Sequence, residues 1–303
     1  MFIVKHRKIF YFISGALVGI SLIAVLLWGL RPGIDFAGGS LLEIVYPAGR
    51  PEAAALKDAL KPLELSESIR PTGDSGYIIR MKSISEVERL KVMETLSLGG
   101  ESSVELKRFD GIGPLLGKEA ARKSFIAIIL VILGVVFFIT FAFRKVSEPV
   151  SSWKYGIITV VALFHDVLVP TGVFAVFGRF AGVEVDTLFV TALLVILGFS
   201  VHDTIVVFDR VRENLRLNRE LRLRKPFEQV VGESINQTFV RSINTSLTTI
   251  LALAVLYLVG SDTTRLFSLT LIIGITAGTY SSIFIASPLL MTAEKWQNQN
   301  LKR

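Results

Sequence analysis

Ionisable side chains stand inside three runs of sequence that are otherwise apolar. Asp203 follows His202 in GFSVHDTIVVFDRVREN, Arg241 lies in NQTFVRSINTSLTT, and Asp166 lies in ALFHDV. A charged group inside a membrane costs about 3 kcal/mol or more unless it is paired or hydrated, so such groups commonly mark a path for protons or ions. These residue types could do one kind of chemistry: a carboxylate takes up and releases a proton beside a permanently charged guanidinium.

Six apolar segments are long enough to span a bilayer, at about 20 residues per crossing. The 303-residue chain is 51% hydrophobic and only 19% charged, which excludes an ordinary soluble domain of this length. It contains no cysteine, so disulfides and thiolate metal sites are excluded. The predicted fold class is an α-helical polytopic membrane protein with six transmembrane helices, near Ile9–Leu30, Phe125–Phe143, Tyr155–Phe177, Thr187–Phe208, Thr238–Val259 and Leu266–Met291.

Lysine and arginine gather in the segments that would face one side of the membrane. The two short loops on the other side contain only Arg179 and Arg265. The positive-inside rule therefore predicts a multi-pass membrane protein with both termini in the cytoplasm. The basic residues that decide this are Lys5, Arg7 and Lys8, then Arg144, Lys145 and Lys154, then seven between 210 and 225.

These segments divide the chain into four parts. We predict a first transmembrane helix over 1–30 and an extracytoplasmic domain over 31–122. The other five helices occupy 123–292, with a basic cytoplasmic loop at 209–236, and a cytoplasmic tail follows over 293–303. The loop at 209–233 mixes acids and bases, so it is either an amphipathic hairpin on the membrane surface or a solvated charged loop.

The long first loop has the pattern of a small α+β domain. Its alternation of apolar and polar residues predicts a βαββαβ order, which is typical of a ferredoxin-like sheet. Pro51 would occupy the first turn of one helix, and Ser83 with Glu86 would form the capping box of the other. That second helix would bury Val87, Leu90, Met93 and Leu96. The predicted strands are Leu41–Tyr46, Gly76–Lys82, Ser103–Phe109 and a weaker one near Ser66–Arg70.

Asp203 and Arg241 are expected at similar depth, because each lies about five residues inside the same end of two antiparallel helices. We predict that they can meet. One interpretation is a structural ion pair that fixes helix register. The interpretation that we favour is a proton or ion path that includes Asp166.

The histidines are open to two readings, since an imidazole can carry protons or simply satisfy a carbonyl. His165 and His202 are each adjacent to an aspartate, but successive helical residues point about 100° apart. No metal or other cofactor is expected, because His6, His165 and His202 come from separate segments and no ligand spacing occurs.

Small residues at four-residue spacing predict close helix packing. Gly15 and Gly19 form one such stripe, and Gly274, Gly278 and Ser282 form another.

The chain resembles the SecD/SecF family of bacterial protein-export membrane proteins, which is related to the resistance-nodulation-division (RND) transporters. The resemblance covers nearly the whole chain. It is carried by Asp166, Asp203 and Arg241 in the motifs quoted above and by three more: GIDFAGG at 33–39, GIGPLLGKE at 111–119 and FSLTLIIGITAGTYSSIFIASPLL at 267–290.

The resemblance implies an RND-like half with an outer ferredoxin-like domain that uses the proton-motive force to promote preprotein translocation and prevent backsliding. It implies that Asp203 and Arg241 couple proton movement to conformational change, while Asp166 has a less defined duty. His202 replaces the usual asparagine and joins the candidate proton-coupling residues. The implied partners are SecD, the SecYEG translocon, YajC, YidC, unfolded preprotein and membrane lipid, with no nucleic acid.

Two other functions stay open. One is an RND-type small-molecule or lipid efflux half-transporter, and the other is a passive scaffold of the translocase. An enzyme is not expected, because the sequence has no phosphate loop, nucleophile elbow or metal motif.

Overall fold

The computed structural model describes residues 2–100, 102–144 and 150–301. The basic residue Lys145 and the last two residues of the predicted tail lie outside the described residues. The chain divides into two compact units. Unit 1 comprises Met1–Arg31, Ile126–Val183 and Leu188–Arg303, and unit 2 comprises Pro32–Phe125 with Glu184–Thr187.

Six helical segments among the described residues are long and apolar enough to cross a membrane, which confirms the predicted number. A short helix, α1 (Phe2–Lys5), precedes the first of them. The last segment contains a π-helical turn at Ser282–Ala286 between two α-helices. The six segments are α2 (Arg7–Trp28), α6 (Pro114–Ala142), α7 (Ser152–Phe180), α8 (Thr187–Glu220), α9 (Phe227–Val259), and α10 (Asp262–Ser281) continued by α11 (Ser287–Leu301).

Both α8 and α9 extend well beyond their predicted apolar ends. The prediction ended α8 at Phe208, but the helix continues to Glu220, and α9 begins at Phe227 instead of Thr238. The reason is a local apolar interface, in which Val211 and Val231 belong to one fully buried cluster. The predicted loop is therefore largely a helical hairpin, whose apolar cluster also includes Ile283 and Met291 of the last span.

Unit 2 contains a four-stranded antiparallel sheet with the spatial order β2-β3-β1-β4. This order and the βαββαβ sequence confirm the predicted ferredoxin-like arrangement. Strand β4 ends three residues later than predicted, because Gly111 and Ile112 still pair with Ser40 and Gly39. The elements are α3 (Ile34–Ala37), β1 (Gly39–Val45), α4 (Ala53–Leu60), β2 (Ser66–Thr72), β3 (Gly76–Met81), α5 (Glu86–Leu96) and β4 (Glu105–Ile112).

The core of unit 2 lies between the sheet and its two helices. Strand β1 directs alternate residues inward, so that Leu42 and Ile44 are fully buried. Ile79 of β3 and Leu56 of α4 are also fully buried and pack in the same cluster. Period-two alternation on the strands and helical spacing on α4 thus supply the two sides of this core.

The helix starts in unit 2 differ from the prediction. The capping box of α5 is formed by Ser85 and Glu88, with Glu88 Oε2 accepting from the Ser85 backbone N–H at 2.7 Å. The predicted box at Ser83 is displaced because Ile84 still packs on the core and donates its N–H to Ser40. Pro51 lies two residues before α4 instead of in its first turn.

The buried face of α5 also differs from the prediction. Val92 and Leu96 are fully buried, and Met93 packs beside them. Val87 and Leu90 are exposed, so the buried face follows Val92, Met93 and Leu96 instead of the predicted positions.

Glycines let α10 approach α8 closely in unit 1. A Cβ atom at Gly274 would lie 2.1 Å from Ile196 Cδ1, and one at Gly278 would lie 3.1 Å from Ser200 Cβ. By contrast, a Cβ atom at Gly15 or Gly19 would have no neighbour within 4 Å. The α10 stripe is therefore a packing surface inside this chain, and the α2 stripe is open.

We expect Gly274→Ala to lower the free energy of unfolding by about 1–3 kcal/mol, the usual cost of overpacking. Gly15→Ala is the matched control and should change it by less than about 1 kcal/mol. Unfolding of the purified protein in detergent, followed by circular dichroism, measures both values. Equal effects of the two substitutions would contradict the packing seen here.

Candidate functional site

Asp166 is fully buried and holds three hydrogen bonds from side chains. Its Oδ2 accepts from Ser281 Oγ at 2.8 Å and from Ser200 Oγ. With its Nδ1 protonated, His165 donates to Asp166 Oδ1 at 2.8 Å. Both oxygens of this carboxylate are therefore occupied by donors, as a buried charge requires.

Helices α7, α8 and α10 bring these groups together. Gly278 permits the approach, because a larger residue there would press on Ser200. Two further hydroxyl contacts continue the polar packing, with Thr204 Oγ1 2.8 Å from Ser282 Oγ and Ser246 Oγ bonded to Thr279 Oγ1. We call this group the polar seam, consisting of Asp166, Ser200, Asp203, Thr204, Ser242, Ser246, Thr279, Ser281 and Ser282.

Asp203 is also buried, with 5% of its surface exposed, but its carboxyl group is not fully satisfied. Its Oδ2 has no hydrogen-bond partner among the described residues. Ser242 of α9 is its neighbour, yet Ser242 Oγ has no partner of acceptable geometry either. A buried carboxyl oxygen without a donor is costly when charged, so it is suited to binding a proton.

The two histidines occupy different environments. His165 is 3% exposed and bonds Asp166, while its Nε2 atom has no partner within the described part of the chain. His202 is exposed, because it lies one helical step from the buried Asp203. Within the same described residues, no group of three or more His, Cys, Asp or Glu side chains is arranged to hold a metal ion.

Arg241 does not meet Asp203 in this structure. Its side chain is exposed on α9, whereas the next residue, Ser242, faces inward toward Asp203. The expected proximity in depth is therefore not accompanied by an ion pair, since adjacent helical residues point in different directions.

Arg241 belongs to a polar stripe on the outward face of α9. Asn244, Thr245 and Thr248 follow it at helical spacing and are also exposed. The two threonine hydroxyls donate to backbone carbonyls of their own helix. Arg241 and Asn244 have polar groups that a lipid chain cannot satisfy. We call these four residues the outward stripe.

Two irregularities of helix geometry lie beside the polar seam. Pro170 is inside α7, and because proline has no N–H, the backbone carbonyl of Asp166 loses its usual partner four residues later. Ser282 begins the π-helical turn, and Ser287 Oγ donates to Ser282 O at 2.8 Å. Such turns are frequent at functional sites and give a helix a place to bend.

Sequence reasoning found both aspartates but missed the serines that serve Asp166. Ser200 and Ser281 are separated by 81 positions, so no local pattern joins them. One signal was available, because Gly274 and Gly278 indicated the face of α10 that approaches another helix closely.

The comparisons with known proteins agree with this fold. The sequence profile described as "Protein export membrane protein SecD/SecF, C-terminal" matches residues 92–296. The chain belongs to the SecD/SecF family. Similar members include two proteins named protein translocase subunit SecF. The one from Thermobaculum terrenum is 42% identical, with 99% of this chain and 95% of the relative covered. The one from Anaerolinea thermophila is 39% identical, with 98% and 96% covered.

Solved SecD/SecF-family structures also match. SecDF, a translocon-associated membrane protein from Thermus thermophilus, has a TM-score of 0.81 and 28% sequence identity. That match covers 97% of this chain and 38% of the longer SecDF chain. A structure of SecDF in a super-membrane-facing form matches with a TM-score of 0.65 and 27% identity, over 99% of this chain and 38% of SecDF.

We expect Ser281→Ala to destabilise the protein by about 1.5–3 kcal/mol, because it removes a donor from a buried charged group. Ser268→Ala is the matched control, since Ser268 lies on the same helix, is fully buried and donates only to the Thr264 carbonyl. Its cost should be less than about 1 kcal/mol. Detergent unfolding of both variants tests this, and an Asp166 without a structural role would give similar values for the two.

Proposed function

We propose that this chain is a proton-driven membrane subunit of the bacterial protein-export machinery, working with a second membrane half of the SecD type. The observation that carries the proposal is the contrast between two buried carboxyl groups. Asp166 has donors on both oxygens, whereas one oxygen of Asp203 has no donor in the described part of the chain. Asp203 would therefore carry the proton, and Asp166 would hold α7, α8 and α10 together.

Conformational change would follow from the two neighbouring positions on α9. A protonated Asp203 is neutral and tolerates the Ser242 hydroxyl beside it. After the proton leaves, the carboxylate is stabilised by an opposite charge, which Arg241 can supply. Because Arg241 and Ser242 are about 100° apart on the helix, turning α9 about its axis brings the guanidinium toward Asp203. The proton thus selects the rotational position of α9.

The outward stripe supports the need for a second half. Arg241 and Asn244 are exposed in this chain, and exposure of such groups to lipid is unfavourable. The longer SecDF chains, of which this chain covers 38%, contain additional sequence that would include such a half. We therefore place the SecD half against the outward stripe. His202, which is exposed beside Asp203, would contact the proton pathway or this partner.

The role in protein export is inferred from the relatives of this chain. The proteins named protein translocase subunit SecF match along almost their whole length, at 42% and 39% identity. We propose that the chain lies in the bacterial cytoplasmic membrane with both termini inside. Unit 2 would then contact the emerging preprotein and hinder its return, with SecYEG, YajC and YidC as further partners. No covalent step is required, since a membrane potential supplies about 2.3 kcal/mol per charge per 100 mV.

The test is preprotein translocation into energised inverted vesicles, with and without an agent that dissipates the proton gradient. Asp203→Asn and Arg241→Met should each abolish the force-dependent increment, and the double variant should not restore it. Asp209→Asn is the matched control on the same helix, because Asp209 is exposed and paired with Arg212, and it should keep the increment.

Assembly with the SecD half, measured by co-purification, must be retained in every variant that is interpreted. If both single variants and the double variant translocate as well as the unmodified protein, a passive scaffold explains the chain and the proton mechanism is wrong.

A further inference from the structure

The GIDFAGG motif contacts the segment that leads into α8, the helix that contains Asp203. Within unit 2, Pro32 forms a parallel bridge with Val185, and the Gly33 N–H donates to Val185 O at 2.8 Å. Val185 lies two residues before α8 and is buried. A motif that follows the first transmembrane helix therefore pairs by its backbone with the segment that leads into the fourth.

Asp35 of this motif caps α8. Its Oδ2 accepts from the Thr187 backbone N–H at 2.9 Å and also from Thr187 Oγ1. The first N–H groups of a helix have no partner within it, and a negative charge at that end is favourable. A residue 152 positions away in sequence thus accepts from the first backbone N–H of α8.

Charged groups of the sheet hold the same segment. Glu184 accepts from Arg70 of β2 at 2.8 Å and forms an ion pair with Arg80 of β3 at 3.2 Å. Arg80 also donates to the Pro32 carbonyl at 3.0 Å. The three residues before α8 are consequently attached to two strands of unit 2, in addition to the cap from Asp35.

A second motif, GIGPLLGKE at 111–119, packs against GIDFAGG. A Cβ atom at Gly38, which has a φ of +78°, would lie 2.7 Å from Pro114 Cα at the start of α6. A Cβ atom at Gly117 would lie 2.9 Å from Phe36 O. Backbone contact on both sides requires glycine here. We call residues 32–39, 113–117 and 184–187 the junction.

We propose that the junction transmits movement between Asp203 and the sheet, with Asp35 as the positioning residue. This inference rests on the proposed function. Helix α8 is continuous from Thr187 to Glu220 and has no proline, so the 16 residue steps from Thr187 to Asp203 form a rod of about 24 Å. A displacement of Asp203 along or around this axis moves Thr187, and the Asp35 cap makes the sheet follow. Without the cap, the first turn of α8 frays and the displacement is lost.

The experiment compares Asp35→Ala with Asp35→Asn in the complex with the SecD half. Asparagine retains a side-chain oxygen that can accept both Thr187 bonds, whereas alanine removes them. We expect Asp35→Ala to lose most of the force-dependent translocation increment and Asp35→Asn to keep most of it. Amide exchange in the first turn of α8 should become about fivefold faster in the alanine variant only, which corresponds to the loss of one cap. Asp58→Ala, at an exposed carboxylate of the same unit, is the control and should change neither value.

The outcomes separate this inference from the proposed function on which it rests. If Asp203→Asn loses the increment while Asp35→Ala keeps it, the junction does not transmit movement and the proposed function survives. If Asp203→Asn also keeps the increment, both are overturned. Equal loss in Asp35→Ala and Asp35→Asn would overturn the assignment to the cap.

A second substitution tests the proposal if Asp35→Ala does not assemble with the SecD half. Thr187→Val removes the hydroxyl donor and leaves the N–H bond, so we expect a partial loss of the increment. Full retention with unchanged amide exchange would overturn the proposal.

Discussion

A carboxyl group packed between apolar helices must either receive donors on its oxygens or hold a proton, and the arrangement of unit 1 follows from this constraint. Asp166 receives its donors from α7, α8 and α10. The three helices can converge on it because Gly274 and Gly278 let α10 approach α8. Asp203 lies about one turn after Ser200 on α8, and its Oδ2 has no donor among the residues that the structure describes. Fixed helices around one carboxylate thus provide a frame for a second one that can change its state.

Two of the helices around Asp166 also have places where they can bend. Pro170 interrupts the hydrogen bonding of α7 just after Asp166, and a π-helical turn interrupts the last span at Ser282. Helix α9 is different from Thr238 onward, since the buried side chains there are the hydroxyl groups of Thr238, Ser242 and Ser246 and the outward stripe is polar. In the proposed mechanism, this part of α9 turns, and Asp203 lies between it and the helices that Asp166 holds together.

Periodicity and hydrophobicity were sufficient to predict six spans and the ferredoxin-like sheet. They failed at helix ends, where overlapping signals compete. Ser83 and Ser85 are both followed by glutamate at the third position, and only the packing of Ile84 selects Ser85. The site shows the same limit. Spacing along α8 and α9 placed Asp203 and Arg241 at similar depth, but the direction of each side chain depends on helix rotation, which is set by packing against other helices. The cap from Asp35 to Thr187 joins distant segments and has no local signature.

The most direct test of the account is to identify which carboxyl group holds a proton in the membrane-embedded complex. Infrared difference spectroscopy across an imposed proton gradient detects the carbonyl stretch of a protonated carboxylic acid. The account predicts that this band is absent in Asp203→Asn and persists in Asp166→Asn. A band that disappears with Asp166 and is unaffected by the change at Asp203 would contradict the assignment of the two carboxyl groups.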